Sequence, residues 1–118
     1  MAIFSQGDVV KVPFPYTDRA TRQFRPALVV STRGIEAAHG LLWVIMITSA
    51  ENRAWPGDVR VANLAAAGLP VPSVIRTAKI ATIEASDATR LGKIPATSYK
   101  KIAAYLGREL GLLRHSGA

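Results

Sequence analysis

Short runs of apolar residues, separated by turn-forming residues, recur along most of the chain and predict β-strands. Residues 7–12 form the first predicted strand, and Pro13 should end its pairing in any central ladder. Pro26 fits the first position of a second strand that ends at Ser31. The continuous apolar run Leu41–Ile47 is short for a helix, which indicates a central strand buried on both faces. Alternation or composition predicts three further strands, at residues 58–61, 71–75 and 79–84.

Helical spacing is clearest near the C-terminal end, where Thr97 or Ser98 fits a cap position. Six residues share one face of this predicted helix: Tyr99, Ile102, Ala103, Leu106, Leu110 and Leu113. Shorter helical turns are predicted at residues 32–38, 63–67 and 86–91. Trp43, inside the apolar run, is assigned to the core or to a dimer seam. Short strands followed by a terminal helix predict a small β-barrel covered on one side, an α+β fold in one domain of residues 1–118.

The charge balance adds a candidate class of partner. Fifteen Lys and Arg residues against eight Asp and Glu residues give a formal net charge of +7. Such an excess favours polyanions such as nucleic acid or an acidic protein, although a well-solvated surface explains it equally well. No apolar run approaches the roughly 20 residues that span a bilayer, and residues 1–8 do not resemble a signal segment. We therefore expect a cytoplasmic protein without membrane contact.

Most catalytic constellations are missing from the sequence. It contains no cysteine, only two histidines, no metal-ligand spacing and no glycine-rich phosphate loop after a strand. What remains is a set of arginines beside hydroxyl groups at strand ends, of which Arg25 and Thr48 are the best placed. From the residues alone, a surface salt bridge for Arg25 and a turn hydrogen bond for Thr48 remain open alternatives.

Two stretches then carry a family resemblance. Residues 7–18 (GDVVKVPFPYTD) and 25–31 (RPALVVS) resemble the opening of the MazF/PemK family, the toxins of bacterial type II toxin–antitoxin pairs. The order continues with Ile47-Thr48-Ser49 at the end of the central strand. Further similar elements follow at residues 72–76, 81–84 and 90–94, and the terminal helix completes the match. The resemblance therefore covers nearly the whole chain.

The resemblance implies an SH3-like barrel with short helices, usually as a homodimer. It also implies sequence-selective cleavage of single-stranded RNA without a metal or cofactor, and inhibition by a cognate antitoxin. The family's catalytic arginine and threonine match Arg25 and Thr48. We expect RNA in a groove between the loop of residues 17–24 and the strand ends, with Tyr16 as a further stacking candidate. The predicted RNA-binding residues are Arg19, Arg22, Phe24, Ser49, Trp55, Arg76 and Lys79.

One part of the family pattern is broken. Some relatives carry an arginine and an aspartate two residues apart; Arg76 matches the arginine, but Ala78 stands where the aspartate would be. Arg76 therefore either contacts phosphate or forms a structural ion pair. The carboxylate for proton transfer remains open among Asp18, Glu51 and Glu84. Two other functions also remain open: a toxin of the same fold that poisons DNA gyrase, and a catalytically silent RNA-binding relative.

Overall fold

A computed structural model of the chain describes residues 2–14 and 23–112, with the backbone alone at Phe14. In these ranges the chain forms six β-strands, three α-helices and a 3₁₀ turn at Ala85–Asp87. The α+β class is confirmed. The elements in chain order are β1 (Asp8–Phe14), β2 (Gln23–Val29), α1 (Arg33–His39), β3 (Leu41–Ser49), β4 (Asp58–Arg60), α2 (Leu64–Ala67), β5 (Ser73–Glu84), β6 (Thr89–Lys93) and α3 (Ala96–Glu109).

The six strands form one antiparallel sheet in the order β4-β5-β3-β2-β1-β6. The apolar run that predicted a central strand lies in β3, which pairs with β5 on one side and β2 on the other. Among the described residues the sheet is not closed by hydrogen bonds, since β4 and β6 are its two edges. Helix α2 packs on β6 so closely that a Cβ atom at Gly68 would collide with the carbonyl group of Leu91.

Alternating residues of the sheet feed two separate hydrophobic clusters. We call the side that carries Ala27, Val44 and Met46 the front face. The back face carries Leu28 and Ile45. Helix α3 covers the back face through its fully buried residue Ile102. None of the described helices is long and apolar enough to span a membrane.

Both prolines lie inside strands, so the two predictions about them were wrong. Pro13 pairs with Phe24, and Pro26 pairs with Lys11. The ladder between β1 and β6 ends at Lys11, before Pro13 is reached, and the ladder between β2 and β3 begins only at Ala27. Each proline is therefore paired on one side only. On its unpaired side, a missing amide proton costs no ladder hydrogen bond.

Residues 71–75 and 79–84 do not form two strands as predicted. They belong largely to the single strand β5, which is bulged in its middle. Ile75 pairs with Ile47 and Ile80 with Ile45, so the four β5 residues between them oppose only Met46. The bulge changes the phase of the alternation along β5. It therefore separates the strand into two halves whose side chains follow different patterns.

Other local predictions have mixed outcomes. The predicted turns at 32–38 and 63–67 are confirmed as α1 and α2. The turn predicted at 86–91 overlaps the end of the 3₁₀ turn and the start of β6. The sequence did not predict β6. Helix α3 begins after Pro95 instead of after the predicted Thr97 or Ser98 cap. Trp43 is 47% exposed, so it does not belong to the core of this chain. The prediction for Leu113 lies outside the described residues.

Candidate functional site

The register of β2 against β3 brings Arg25 towards Thr48. Ala27 pairs with Met46, and continuing this register by two residues along both strands puts Arg25 opposite Thr48. Because side chains alternate along a strand, both lie on the front face with Ala27 and Met46. Cβ atoms of directly opposed residues in an antiparallel pair are about 5 Å apart. Two residues that are remote in sequence thus come to one end of the front face.

Thr48 is 5% exposed, and its Oγ1 accepts a hydrogen bond of 2.6 Å from Nδ2 of Asn52. A threonine hydroxyl has one proton to donate and two lone pairs, so accepting from Asn52 leaves its donor function unchanged. Arg25 is half-buried, and its Nη2 donates to Oε1 of Gln23 at 3.0 Å. The site therefore combines a cation beside the surface with a hydroxyl group held by the loop that follows β3.

The row of side chains continues across the sheet to Arg60. Thr48 pairs with Val74 of β5, and Val74 pairs with Arg60 of β4. Paired residues share a face, so the exposed side chain of Arg60 lies on the front face in the same row as Arg25. Three strand spacings of about 4.8 Å separate the two arginine backbones by roughly 14 Å. The sequence analysis missed Arg60, although the alternation of residues 58–61 already placed it on the polar side of β4.

Arg76 forms an ion pair with Asp58, directly opposite it on β4. Its Nε donates to Oδ1 of Asp58 at 3.3 Å, and its Nη2 donates to Oδ2 at 3.1 Å and to the carbonyl oxygen of Arg53 at 2.6 Å. Burial alone would raise the pKa of Asp58. The hydrogen bonds from Arg76 and from the backbone N–H of Trp55, together with the positive charge of Arg76, outweigh burial and lower this pKa below the ordinary 3.8.

Trp55 lies over this ion pair, with its ring centroid 4.4 Å from Cζ of Arg76. Its backbone N–H donates to Oδ2 of Asp58 at 3.0 Å, and the N–H of Asp58 donates to the carbonyl oxygen of Trp55 at 3.1 Å. Gly57 between them is held by Thr77, whose Oγ1 donates to the Gly57 carbonyl oxygen at 2.8 Å. We call Trp55, Asp58 and Arg76 the tryptophan cluster.

The other predicted RNA-binding residues are spread over different positions. Phe24 and Ser49 are each one residue away from a front-face residue, so strand alternation directs them to the back face. Phe24 is 63% exposed there. Lys79 lies in the bulge of β5. Arg19 and Arg22, like Tyr16, lie outside the described residues.

The candidate carboxylates also separate. Glu84 pairs with Leu41, at the opposite end of β3 from Thr48. Glu51 is exposed in the loop after β3, where its N–H donates to Oγ of Ser49. Asp18 lies outside the described residues. The acid that does lie beside Arg76 is Asp58, which the sequence analysis did not consider, because its proximity depends on the pairing of β4 with β5.

Metal ligands are not assembled in the part of the chain that the structure describes. Within it, no three His, Asp or Glu side chains lie close enough together to hold an ion. The expectation of metal-independent chemistry stays a prediction.

Comparisons with known proteins agree with this architecture. MazF from Deinococcus radiodurans superimposes with a TM-score of 0.73 at 25% identity, covering 92% of this chain and 97% of that one. The Mycobacterium tuberculosis toxin MazF-mt6 gives 0.70 at 21% identity, covering 91% of this chain and 99% of that one. An endoribonuclease in complex with its cognate antitoxin, from Mycobacterial species, gives 0.72 at 19% identity, covering 98% of this chain and 100% of that one.

A comparison with curated proteins found no match. The profile of the PemK-like, MazF-like toxins of type II toxin–antitoxin systems matches residues 5–110. This match spans β1 to α3 and includes every described residue of the site. The chain therefore belongs to the PemK-like, MazF-like toxin family of type II toxin–antitoxin systems.

Proposed function

We propose that the chain is a sequence-selective endoribonuclease that cleaves single-stranded RNA without a metal and is neutralised by a cognate antitoxin. The observation that best supports the proposal is the β2–β3 register, which, continued two residues beyond the pair Ala27–Met46, directs Arg25 towards Thr48 on the front face. Membership of the toxin family supports it. A relative of the same fold is described as an endoribonuclease in complex with its cognate antitoxin.

The chemistry of RNA explains why so small a site is sufficient. The ribose 2′-oxygen attacks the adjacent phosphorus and forms a new P–O bond. The bond from phosphorus to the 5′-oxygen then breaks, and the proton lost by the 2′-hydroxyl is balanced by one gained at the 5′-oxygen. The products are a 2′,3′-cyclic phosphate, or the 3′-phosphate derived from it, and a 5′-hydroxyl end. No metal-activated water is required, because the nucleophile belongs to the substrate.

Arg25 and Thr48 have different roles in this scheme. The guanidinium of Arg25 stays charged and offers several fixed donors, which suits the negative charge that builds on the phosphoryl oxygens. The hydroxyl of Thr48 donates to the phosphate or positions the 2′-hydroxyl, and Asn52 fixes its orientation. A threonine is a poor base, so the proton of the nucleophile must pass to another group.

Two acids are poorly suited to accept the proton of the 2′-hydroxyl. Glu84 lies at the far end of β3, and Asp58 is engaged by Arg76 with a lowered pKa, which makes its carboxylate a weak proton acceptor. Of the acids considered, Asp18 and Glu51 remain. Replacing each with its amide in turn and measuring the pH dependence of cleavage would identify the base.

Four further expectations belong to this proposal. Arg25 and Arg60 on the front face suit an acidic, partly disordered antitoxin segment lying over the site. Association into a homodimer is supported by exposed apolar side chains on the back face, among them Trp43 and Ile80. A cytoplasmic location and a single domain over residues 1–118 remain predictions as well.

Incubating the purified protein with mixed-sequence RNA in EDTA tests the proposal. We expect discrete fragments with 5′-hydroxyl ends, and Arg25→Ala should slow their formation by about 10²–10³-fold. Lys101→Ala, on the exposed side of α3, is the matched control and should cleave normally. Intact RNA with blocked DNA supercoiling would indicate a gyrase poison instead. Intact RNA that shifts on a gel would indicate a silent binder.

A further inference from the structure

The guanidinium of Arg76 is committed to contacts inside the protein. It donates three hydrogen bonds, two to the carboxylate of Asp58 and one to the carbonyl oxygen of Arg53, and its side chain is 9% exposed. One face of the Trp55 ring covers it. These contacts use three of the five guanidinium N–H donors, and the side chain is nearly buried, so Arg76 influences a ligand chiefly by positioning its neighbours.

What it holds in place is an aromatic ring. Trp55 remains 40% exposed although one ring face lies on Arg76, so the opposite face is directed to solvent. Its backbone is tied to Asp58 by two hydrogen bonds, and the next residues are tied to β5 through Gly57 and Thr77. The ring is thus fixed before a ligand binds, which lowers the entropic cost of stacking a second planar group on it.

The location of the Trp55 ring indicates which planar group would stack on it. Arg76 follows Val74 by two residues on the same face, and Val74 pairs with Thr48. We propose that Trp55 is a stacking platform for one unpaired base of the RNA beside the cleaved bond, and that Asp58 and Arg76 are positioning residues that act through it. This inference rests on the proposed function, because it assigns the substrate of that site. Aromatic rings stack on any base, and an ion pair beneath the ring keeps its outer face available.

Binding to a probe with and without bases tests the proposal. The probe is a short single-stranded oligonucleotide with 2′-O-methyl riboses, which cannot attack the phosphate, and its counterpart is an abasic oligonucleotide of equal length and charge. We expect the wild-type protein to prefer the probe with bases by about ten- to a hundredfold. Trp55→Ala should abolish most of this preference, and Trp55→Phe should retain most of it.

Substitutions of the positioning residues Asp58 and Arg76 should affect base preference and salt dependence differently. Asp58→Asn and Arg76→Gln should reduce the base preference while leaving the salt dependence of binding unchanged, since neither side chain contacts phosphate. The matched control is Arg60→Gln, which should keep the base preference and reduce the salt slope by about 0.7, the value for one phosphate contact on a single strand. In a Trp43→Phe background Trp55 is the only tryptophan, so its fluorescence reports folding and stacking of each variant directly.

The outcomes separate this inference from the proposed function. A base preference that survives Trp55→Ala, in a protein that cuts RNA, would overturn the platform and leave the nuclease intact. A reduced salt slope in Arg76→Gln with unchanged base preference would overturn the positioning role and assign a phosphate contact to Arg76. A Trp55-dependent preference in a protein that does not cut RNA would keep base stacking on Trp55 but overturn the nuclease and the placement of the base beside a cleaved bond.

Discussion

Asp58 and Arg76 face each other across β4 and β5, and two hydrogen bonds of 3.3 and 3.1 Å join the guanidinium to both carboxylate oxygens. Both side chains are about one-tenth exposed. The resemblance implied an acid two residues from Arg76 in the same strand, where Ala78 stands. The acid beside Arg76 comes instead from the neighbouring strand β4.

Acid should loosen the tryptophan cluster. The pKa of Asp58 in the folded chain lies below the ordinary 3.8, so the unfolded chain takes up the proton first as the pH falls. The stabilisation is therefore complete above the unfolded pKa and is lost as the pH falls through the folded pKa. We expect the free energy of unfolding to fall as the pH drops below about 4. Urea unfolding of the wild type and of Asp58→Asn measures the contribution of Asp58. It is the part of the decrease in unfolding free energy that the variant lacks. Identical pH profiles for the two proteins would contradict the assignment.

Thr48→Val should lower the rate of RNA cleavage by about tenfold or more, with a smaller change in KM. Valine has nearly the same shape but no hydroxyl to contact the phosphate or the 2′-hydroxyl. It also removes the acceptor of Asn52, which should cost about 1 kcal/mol of stability. Thr48→Ser restores the hydroxyl and should recover most of the rate. Comparing single-turnover rates at saturating RNA checks the expectation, and full activity in Thr48→Val would remove Thr48 from the mechanism.

Arg60→Gln should weaken RNA binding without changing which sequence is cut. Arg60 lies on the front face in the same row as Arg25, where it is placed to contact a neighbouring phosphate. The slope of log K against log salt should fall by about 0.7 for one lost contact with single-stranded RNA. Lys101→Gln on α3 removes the same charge far from this row and should leave the slope unchanged. Equal slopes in the wild type and Arg60→Gln would exclude the contact.

Gly57→Ala should disturb both stability and RNA binding. Gly57 has φ +90°, and a Cβ atom there would lie 2.8 Å from Oγ1 of Thr77 and 2.8 Å from the hydroxyl oxygen of Tyr105. We expect a loss of about 1–3 kcal/mol from the strained backbone, plus a weaker preference for bases. Gly40→Ala is the control, since Gly40 has φ +66° and no atom within 4 Å of the added group. Urea unfolding of both variants should show the larger loss at Gly57.

The elements that local pattern determines were the ones that the sequence predicted. The run Leu41–Ile47 lies in β3, and the helical turn ended by Gly68 is α2 with Asn63 as its cap. The bulge in β5 was not predictable, because it depends on the register of β5 against β3 on either side of it. The predictions for Pro13 and Pro26 failed for a similar reason. Whether a strand tolerates a proline depends on where the neighbouring ladders end.

The same distinction applies to the candidate site. Arg25 and Thr48 were singled out by their positions at strand ends, and the family resemblance then implied catalytic roles for them. The continued register of β2 against β3 directs both to one end of the front face, while their catalytic roles stay predictions. Asp58 and Arg60 were missed because their relation to the site runs through Val74 and Arg76 on another strand. No spacing along the chain encodes such a relation. The ion pair considered for Arg76 is present, with a partner that the sequence did not identify.

The outer side of β5 is a place where a neighbouring copy could assemble with this one. Edge strand β4 has three residues and pairs only with Val74–Arg76, so residues 77–84 of β5 have no strand partner on that side among the described residues. At the other edge, β6 has five residues and α2 packs against it. A copy that added a strand to β5 would be held by main-chain hydrogen bonds and would tolerate most side-chain changes. A copy that packed on Trp43 or Ile80 would instead be open to disruption by a single substitution at either residue.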